Sequence, residues 1–310
     1  MRNTFAKVLL EEAKKNKKLI FLTGDLGFSV FEDFQKECPD QYINAGVAEQ
    51  NMTGVAAGLA MEGMLPVIYS IIPFVTMRNF EQIRNDICYQ NLNVKIVSVG
   101  AGFSYGPYGH THHGLEDIGI MRTLPGLTIL CPGDPIEARH ATKAMFKYVG
   151  PTYLRLGKGG EPIVHESEPE FTIGKAIELS KGCDITIITT SNMLSRGNEV
   201  RLDLLSKGYS VGLVSMHTIK PLDVDIILKM AKNTRMMITL EEHSIIGGLG
   251  SAVSEVFADH NVQTQLLRFG VPDRFTKKNG SRAMLQEENG LSKDQIVSDI
   301  ERRMRMPRRS

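Results

Sequence analysis

The sequence predicts an α/β protein in which helices cover both faces of a parallel sheet. Short apolar runs alternate with amphipathic stretches along most of the 310 residues, as is typical of β-α-β units. One segment without periodicity, K-G-G-E-P-I-V-H-E-S-E-P-E-F at residues 158–171, is rich in Gly, Pro and Glu and interrupts the alternation. We therefore predict two domains, residues 1–160 and 173–310, joined by a linker at residues 161–172.

Buried strands are expected where apolar residues stand together in a short run, and helices where the pattern is amphipathic. The strands predicted in the first domain are residues 19–23, 67–71, 94–99, 128–131 and 152–156. The helices predicted between them are residues 5–15, 48–61, 76–90, 115–124 and 135–148. The second, smaller α/β domain is predicted to have strands at residues 184–190, 210–214, 235–240 and 264–268 and a last helix at 292–303.

The composition narrows the class of protein and its compartment. The net charge of +1 implies no broad attraction to nucleic acid or to a membrane surface. No apolar run reaches the length of a membrane span, and the N-terminus lacks a signal-peptide core. The four cysteines show no zinc-site spacing and no disulfide framework. We expect a cytoplasmic protein with free thiols and a solvated Arg-rich tail at residues 302–310.

The most informative segment is Y-I-N-A-G-V-A-E-Q-N-M-T-G-V-A-A-G-L-A-M, at residues 42–61. It places Glu49 at the start of a helix of small and apolar residues, where Gly54 and Gly58 allow another backbone to approach closely. A buried acid beside a tightly packed contact is costly unless it has a partner, which indicates a functional role for Glu49. The alternative is a carboxylate that only stabilises the helix N-terminus.

A second cluster of chemistry-bearing residues is G-P-Y-G-H-T-H-H-G-L-E-D, at residues 106–117. It places His110, His112 and His113 in a glycine-rich loop between a strand and a helix, where α/β proteins bind ligands. Imidazoles suit a site that moves protons near neutral pH. A metal site is the alternative, but no carboxylate or cysteine at suitable spacing completes it, so we predict no metal ligands.

These two motifs resemble the pyrimidine-binding domain of the transketolase family, whose members use thiamine diphosphate. The resemblance runs from about Arg2 to about Leu291, and it is to the C-terminal half of a transketolase only. It implies that Glu49 contacts the aminopyrimidine ring of the cofactor and helps to activate it. It also implies that His112 hydrogen-bonds substrate oxygens and relays protons, whereas His110 and His113 are either pocket residues or solvated loop histidines.

The resemblance also implies a cofactor pocket around Y-S-I-I-P-F-V-T-M-R-N-F. Phe74 matches an aromatic ring that stacks on the cofactor in the family, although simple core packing is the alternative for this residue. Ile71 and Met77 stand where other members often carry aromatic residues, so apolar contact is kept and some stacking specificity is lost. Asp25, in G-D-L-G-F-S, is expected beside the cofactor as well.

A phosphate site and an altered substrate pocket are implied by the same resemblance. Arg2, Ser29 and Arg155 match family residues, and two guanidiniums with a hydroxyl suit a sugar phosphate. Transketolases often have His and Asp where this chain has Gly100 and Tyr108. These departures put the usual pentose phosphate specificity in doubt and leave a specialised sugar open.

The diphosphate-binding half of a transketolase is missing from this sequence. That half brings a G-D-G motif whose Asp, with a later Asn, holds Mg²⁺ on the cofactor phosphates, and no G-D-G occurs here. The resemblance therefore implies a partner subunit that carries the Mg²⁺ ligands, in an assembly of two chains of each kind. Self-association through the pyrimidine-binding and C-terminal domains is expected.

We accordingly expect the C-terminal subunit of a split transketolase that transfers a two-carbon ketol unit between sugars, at least one of them phosphorylated. The first alternative is a beta subunit of a 2-oxo acid dehydrogenase or decarboxylase, which shares both domains and the glutamate. The second is a non-catalytic scaffold that keeps the fold. The sequence does not name the ketose donor, the acceptor or the pathway.

Overall fold

The structure, a computed structural model, describes residues 1–306 and contains two α/β units, each built on its own sheet. The helices are α1 (Arg2–Lys15), α2 (Glu32–Glu37), α3 (Glu49–Met61), α4 (Ile72–Thr76), α5 (Phe80–Gln82), α6 (Asp117–Arg122), α7 (Pro135–Lys147), α8 (Leu194–Ser206), α9 (Val224–Asn233), α10 (Leu249–Asp259), α11 (Arg282–Glu288) and α12 (Lys293–Arg305). Across residues 1–306, none of these helices has the length and apolar character needed to cross a membrane.

The strands form two sheets that are mainly parallel. They are β1 (Leu19–Thr23), β2 (Tyr42–Asn44), β3 (Leu65–Ile71), β4 (Lys95–Val99), β5 (Thr128–Leu130), β6 (Thr152–Leu156), β7 (Ile177–Ser180), β8 (Ile185–Thr189), β9 (Val211–Ser215), β10 (Thr218–Lys220), β11 (Met236–Ser244) and β12 (Gln265–Val271). The first sheet has the order β10-β5-β6-β4-β3-β1-β2 and the second β12-β11-β8-β9-β7. The predicted α/β class is confirmed.

Two edge strands depart from the predicted parallel arrangement. β10 pairs antiparallel with β5, and β7 pairs antiparallel with β9. β10 follows β9 in the chain but pairs with β5 at the edge of the first sheet. The second unit therefore contributes a strand to the sheet of the first, in addition to being joined to it by the linker. The sequence did not predict either strand, because runs of three or four residues carry too little periodicity to be recognised.

The central strands of the first sheet are buried on both faces, which explains why they read as continuous apolar runs. Successive residues alternate between two cores: Leu22 and Ile68 pack in one, and Phe21 and Val67 pack in the other. Helices therefore cover both faces, as the alternation of elements predicted.

The helix predicted at residues 76–90 is broken into three pieces. Pro73 lies in the first turn of α4, so helical structure begins directly after β3 rather than at residue 76. The break before α5 falls at Asn79, which is fully buried and donates from Nδ2 to Thr53 Oγ1 at 2.6 Å. After α5 the chain makes a π-helical turn at Ile83–Cys88. The remaining predicted elements are present with ends that differ by a few residues.

The linker segment has little regular structure but is fastened to the first domain at the start of α7. Asp134 caps α7 by accepting from the Glu137 N–H and also accepts from the backbone N–H groups of Val164 and His165. His165 Nε2 lies 2.7 Å from the buried Glu137 carboxylate. The linker is therefore a fixed part of the surface rather than a free spacer. The predicted Arg-rich tail begins inside α12, and residues 307–310 lie outside the described residues.

The linker contact predicts a pH dependence of stability. Burial opposes the charge on His165, but the hydrogen bond and charge of Glu137 outweigh burial and raise the pKa of His165 above its ordinary value. A raised folded-state pKa stabilises the fold at pH values below the unfolded pKa, and this stabilisation is lost as pH rises through the folded pKa. We expect the free energy of unfolding in urea to fall between about pH 6 and 8.

His165→Gln should remove most of this decline and lower stability at about pH 6. The matched control is His260→Gln, since His260 is exposed at the end of α10. An equally steep decline in His165→Gln and the wild type would contradict the assignment of the pH dependence to this contact.

Candidate active site

Glu49 lies at the first position of α3, beside the carboxyl ends of β1 and β3, and is 1% exposed. Its Oε1 accepts from Ser70 Oγ at 3.1 Å, and its Oε2 forms an ion pair with Arg78 Nη1 at 2.6 Å. The backbone of Gly24 approaches so closely that a Cβ there would lie 3.3 Å from Oε1. The carboxylate is thus fixed in direction by three different segments.

Arg78 is a site residue that the sequence analysis missed, although it lies in the motif quoted for the cofactor pocket. Its guanidinium carbon lies 4.6 Å from the centroid of the Phe74 ring, and its side chain is 40% exposed. Arg78 is the exposed member of the pair with Glu49. It can therefore move away from the carboxylate without opening the core, and so the Glu49 side chain can be freed to meet a ligand.

A row of rings runs from Phe74 across the candidate site. Phe74 and His112 have centroids 5.1 Å apart, and His112 and Tyr108 have centroids 5.2 Å apart. Tyr108 in turn lies 5.9 Å from Tyr105. Through Arg78, this aromatic row connects the buried Glu49 carboxylate with His112. The structure therefore brings together the two residues that the sequence singled out first.

The segment at residues 102–114, which we call the histidine loop, is closed by two backbone hydrogen bonds between Gly102 and Gly114. His112 is half-buried within the aromatic row, and burial lowers its pKa. Its Nδ1 lies 3.0 Å from Thr111 Oγ1, so the ring is oriented from within the loop. The pattern suits an imidazole that is neutral near pH 7 and can accept a proton.

The sequence-based placement of His113 in the substrate pocket disagrees with its environment in the structure. The side chain is 2% exposed, its Nε2 lies 3.3 Å from the Gly106 carbonyl oxygen, and its ring packs edge-on against Phe103. His113 therefore stabilises the inside of the histidine loop. His110 is exposed, and its ring centroid lies 5.6 Å from that of Phe275 in the second domain, with the two rings tilted by 50°.

The second domain supports the histidine loop from outside. A Cβ on Gly106 would overlap the Gly280 carbonyl oxygen, and one on Gly102 would overlap the Glu242 carboxylate. Glu242 is itself held by Arg282, whose Nε lies 2.9 Å from Oε2. These close approaches explain why the loop requires glycine at both positions, and they connect the second domain to the conformation of His112.

Gly100 does not leave an open pocket in this structure. It is buried with φ +101°, and the ring of Tyr105 occupies the space that a Cβ would take. Ile71 lies 3.8 Å from the same position. Met77 ends α4 and is 38% exposed. The absence of a side chain at Gly100 therefore leaves room for the Tyr105 ring, which forms the far end of the aromatic row.

The remaining predicted ligand-binding residues are dispersed along the carboxyl edge of the first sheet. Arg2 begins α1 beside Tyr105: burial raises the pKa of that phenol, and the Arg2 guanidinium opposes the rise. Ser29 is exposed at φ +61°. Asp25 accepts from Asn44 Nδ2 at 2.9 Å, and both line a cleft of about 230 Å³. Within residues 1–306 no hydrogen bond joins Ser29 to Arg2.

The prediction that Arg155 binds a phosphate with Arg2 and Ser29 is not supported by its environment. Arg155 is 0% exposed and its Nε pairs with Asp117 at 2.8 Å. Its other nitrogens donate to Ser191 Oγ and to the carbonyl oxygens of Gly114 and Glu242. Since every guanidinium nitrogen has a protein acceptor, Arg155 has a structural role: it holds together the segments that support the site.

Lys158 is a second residue that the sequence analysis passed over. It lies just after β6, and its Nζ stands 4.9 Å from the centroid of Tyr105 and 6.0 Å from that of Tyr108. Its position at the start of the segment without periodicity, residues 158–171, concealed it. As for metals, no group of three His, Cys, Asp or Glu side chains within residues 1–306 is placed to hold an ion.

Family models match both halves of the chain. The model described as "Transketolase, pyrimidine binding domain" covers residues 1–161, and "Transketolase, C-terminal domain" covers residues 174–296. The chain belongs to the transketolase family. The resemblance seen in the motifs around Glu49 and His112 is thereby confirmed, and membership of this family implies dependence on thiamine diphosphate.

Relatives of similar length to this transketolase chain are named as separate subunits. An apulose-4-phosphate transketolase subunit of Phocaeicola vulgatus is 37% identical, over 95% of this chain and 94% of that protein. A 6-deoxy-6-sulfo-D-fructose transketolase subunit of Clostridium sp. is 36% identical, over 96% of this chain and 92% of that protein. By contrast, the chain spans 47% of the 1-deoxy-D-xylulose-5-phosphate synthase of Halalkalibacterium halodurans, at 36% identity.

Among solved structures, a split-gene transketolase in an inactive β4 tetramer has the same fold. It superimposes with a TM-score of 0.88 and 35% identity, covering 98% of this chain and 97% of that one. The expected fold, a pyrimidine-binding domain followed by a transketolase C-terminal domain, is thereby confirmed. So is the expectation that the chain corresponds to the C-terminal subunit of a split transketolase.

The assignment of Arg155 to the architecture predicts a large effect on stability. Arg155→Met should destabilise the chain by about 3–5 kcal/mol, because it leaves the buried Asp117 carboxylate without its partner. Arg139→Met is the matched control, since Arg139 pairs with Glu168 on the surface, and it should cost about 0–1 kcal/mol. Urea unfolding measures both. A stable Arg155→Met protein that bound sugar phosphates poorly would restore the phosphate role instead.

Proposed function

We propose that this chain is the C-terminal subunit of a two-chain transferase that moves a two-carbon ketol unit between sugars with the help of thiamine diphosphate. The observation that carries the proposal is the link between a buried, directed carboxylate and a half-buried histidine along one aromatic row, from Glu49 through Phe74 to His112. The family membership supports the reaction type.

The residues around Glu49 fit the pyrimidine end of the cofactor. The Glu49 carboxylate is buried, and its partner Arg78 is exposed enough to move away when a ligand binds. Phe74, Ile71 and Met77 offer the apolar surface that an aromatic ring requires. Thiamine diphosphate, when bound, supplies the nucleophilic carbon of the reaction. Glu49 would hold a proton at the pyrimidine nitrogen that it faces and so orient and activate the ring.

His112 is proposed to handle the substrate oxygens. Its ring borders Phe74 on one side and Tyr108 on the other, and Thr111 Oγ1 lies at Nδ1. Nε2 has no hydrogen-bond partner within residues 1–306 and is the atom that would exchange a proton with a sugar hydroxyl. The lowered pKa favours the neutral form, which can accept that proton.

A partner subunit completes the proposed enzyme. The chain spans nearly all of the subunit relatives but about half of a single-chain relative, so the half that binds the diphosphate would come from a separate protein. That partner would supply the Mg²⁺ ligands. On α3, a Cβ added to Gly54 or Gly58 would meet no atom of residues 1–306 within 4 Å, apart from the neighbouring backbone of the helix itself, which leaves that face open to another backbone. We propose two chains of each kind, with this chain also self-associating.

The proposed substrates are sugars with an anionic group at the end remote from the ketol unit. The names of the two subunit relatives mention a phosphorylated and a sulfonated sugar. Arg2 and Ser29 remain the proposed contacts to a phosphate, with Tyr108 and His110 at the edge of the pocket. A place in the cytoplasm and in carbohydrate metabolism follows from this reaction type.

The central test is Glu49→Gln in the assembled pair. Removing the ionisable carboxyl should lower kcat by about 10²–10⁴-fold, because the cofactor loses its acid-base partner. Glu11→Gln, which changes an exposed carboxylate on α1, is the control and should leave kcat unchanged. Calorimetric titration of thiamine diphosphate and Mg²⁺ into the pair and into each chain alone gives a second readout, with tight binding expected for the wild-type pair only. Near-normal turnover by Glu49→Gln would refute the assignment.

A pH profile tests the role of His112. With a pKa below its ordinary value, His112 should be neutral at pH 7, and kcat/KM should fall as pH is lowered through that pKa. His112→Asn should lower kcat and abolish this acid limb between about pH 5 and 7. His110→Asn, which alters an exposed histidine of the same loop, should keep it. An acid limb that persists in His112→Asn would exclude His112 as the titrating base.

A further inference from the structure

The burial of Arg155 leaves the charge of an anionic substrate without one of its expected partners. A phosphate or sulfonate requires cations or several N–H donors, and Arg2 alone provides few of them. From the contacts on the aromatic row, we infer that Lys158 replaces Arg155 as the second cation and binds the anionic end of the sugar together with Arg2. The inference rests on the proposed function and names a specificity residue for it.

Lys158 is held at the site rather than merely near it in sequence. β6 ends two residues before it, so the chain delivers Lys158 to the carboxyl edge of the sheet, where α/β proteins bind ligands. Its ammonium stands over Tyr105 at 4.9 Å and near Tyr108 at 6.0 Å. Tyr108 packs directly on His112. The charge and the proposed proton-transfer group therefore share one wall.

The ammonium group of Lys158 is not neutralised by a carboxylate within residues 1–306. Within residues 1–306 its ammonium makes no ion pair, and the nearest carboxylate in sequence, Glu161, has other partners. Glu161 Oε2 pairs with the Met1 amino group at 2.6 Å, and Oε1 accepts from the Gly159 N–H. A cation that rests on aromatic faces keeps its N–H donors available to a ligand, since a ring accepts no conventional hydrogen bond.

The aromatic platform for this cation depends on Gly100. The Tyr105 ring lies in the space above Gly100, and any side chain at that position would displace it. Arg2 stands beside the same ring. Two cations thus flank Tyr105 while the rings give an apolar floor against which the carbon chain of a sugar can lie. This combination suits a terminal phosphate or sulfonate and gives a neutral sugar no added affinity.

The test compares anionic and neutral acceptors in the assembled pair. Lys158→Gln should raise KM for an aldose phosphate about 10- to 100-fold, the effect of losing one charge-assisted contact, with little change in kcat. KM for the matching neutral aldose should not change. Lys158→Arg should restore KM for the aldose phosphate. An aldose sulfonate of the same length identifies the anion: a larger effect of Lys158→Gln on phosphate than on sulfonate indicates a site tuned to the doubly charged group.

Lys278→Gln is the matched control, because Lys278 is exposed in the segment of the second domain that covers the histidine loop. If Lys278→Gln raised KM for the aldose phosphate and Lys158→Gln did not, the inference would be overturned. An equal rise in KM for neutral and anionic sugars in Lys158→Gln would overturn it too, since that pattern would mean that Lys158 has a structural role and does not bind the anion. Calorimetric titration of the aldose phosphate into the same variants decides the matter even if no ketol transfer is found, whereas absent transfer by the wild-type pair counts against the proposed function alone.

Discussion

The buried ion pair between Arg155 and Asp117 is the interaction on which the rest of this structure depends. Neither side chain reaches solvent, and a buried guanidinium is tolerated only when all its donors are satisfied. Arg155 meets this condition by reaching from β6 to α6, to the end of the histidine loop at Gly114 and to Glu242 of the second domain. One residue thus fixes the mutual arrangement of a strand, a helix, a loop and a second domain.

That arrangement explains what the second domain contributes to a site formed mainly by the first. Glu242 lies against Gly102 at one end of the histidine loop, while Gly280 lies against Gly106 within it. The loop has glycine where these contacts are closest, so its conformation is set by the domain packed on it. Such support matters for proton transfer, because small displacements of a catalytic group lower rates strongly. The second domain therefore acts on the chemistry by fixing the position of the histidine loop.

The sequence was sufficient for the features that depend on local pattern and for those carried by motifs. The fully buried strands could be predicted because their apolar runs are continuous, and Glu49, Phe74 and His112 come together because each follows a strand of one sheet. Side-chain direction could not be predicted. Whether Arg155 faces a ligand or Asp117 depends on contacts distant in the chain, and so does the inward turn of His113.

The linker is also fixed in place by contacts that are distant in the chain. A segment without periodicity was predicted to be a spacer, yet hydrogen bonds from Val164 and His165 to Asp134 fix it to α7. Its other end leaves β6 at the carboxyl edge of the sheet, so the intervening residues, Lys158 among them, are held between two fixed points. A flexible lysine gains little from binding an anion if its backbone must first be ordered. The backbone beside Lys158 is held by the end of β6 on one side and by the hydrogen bond from the Gly159 N–H to Glu161 on the other, so the charge beside Tyr105 is positioned before a ligand arrives.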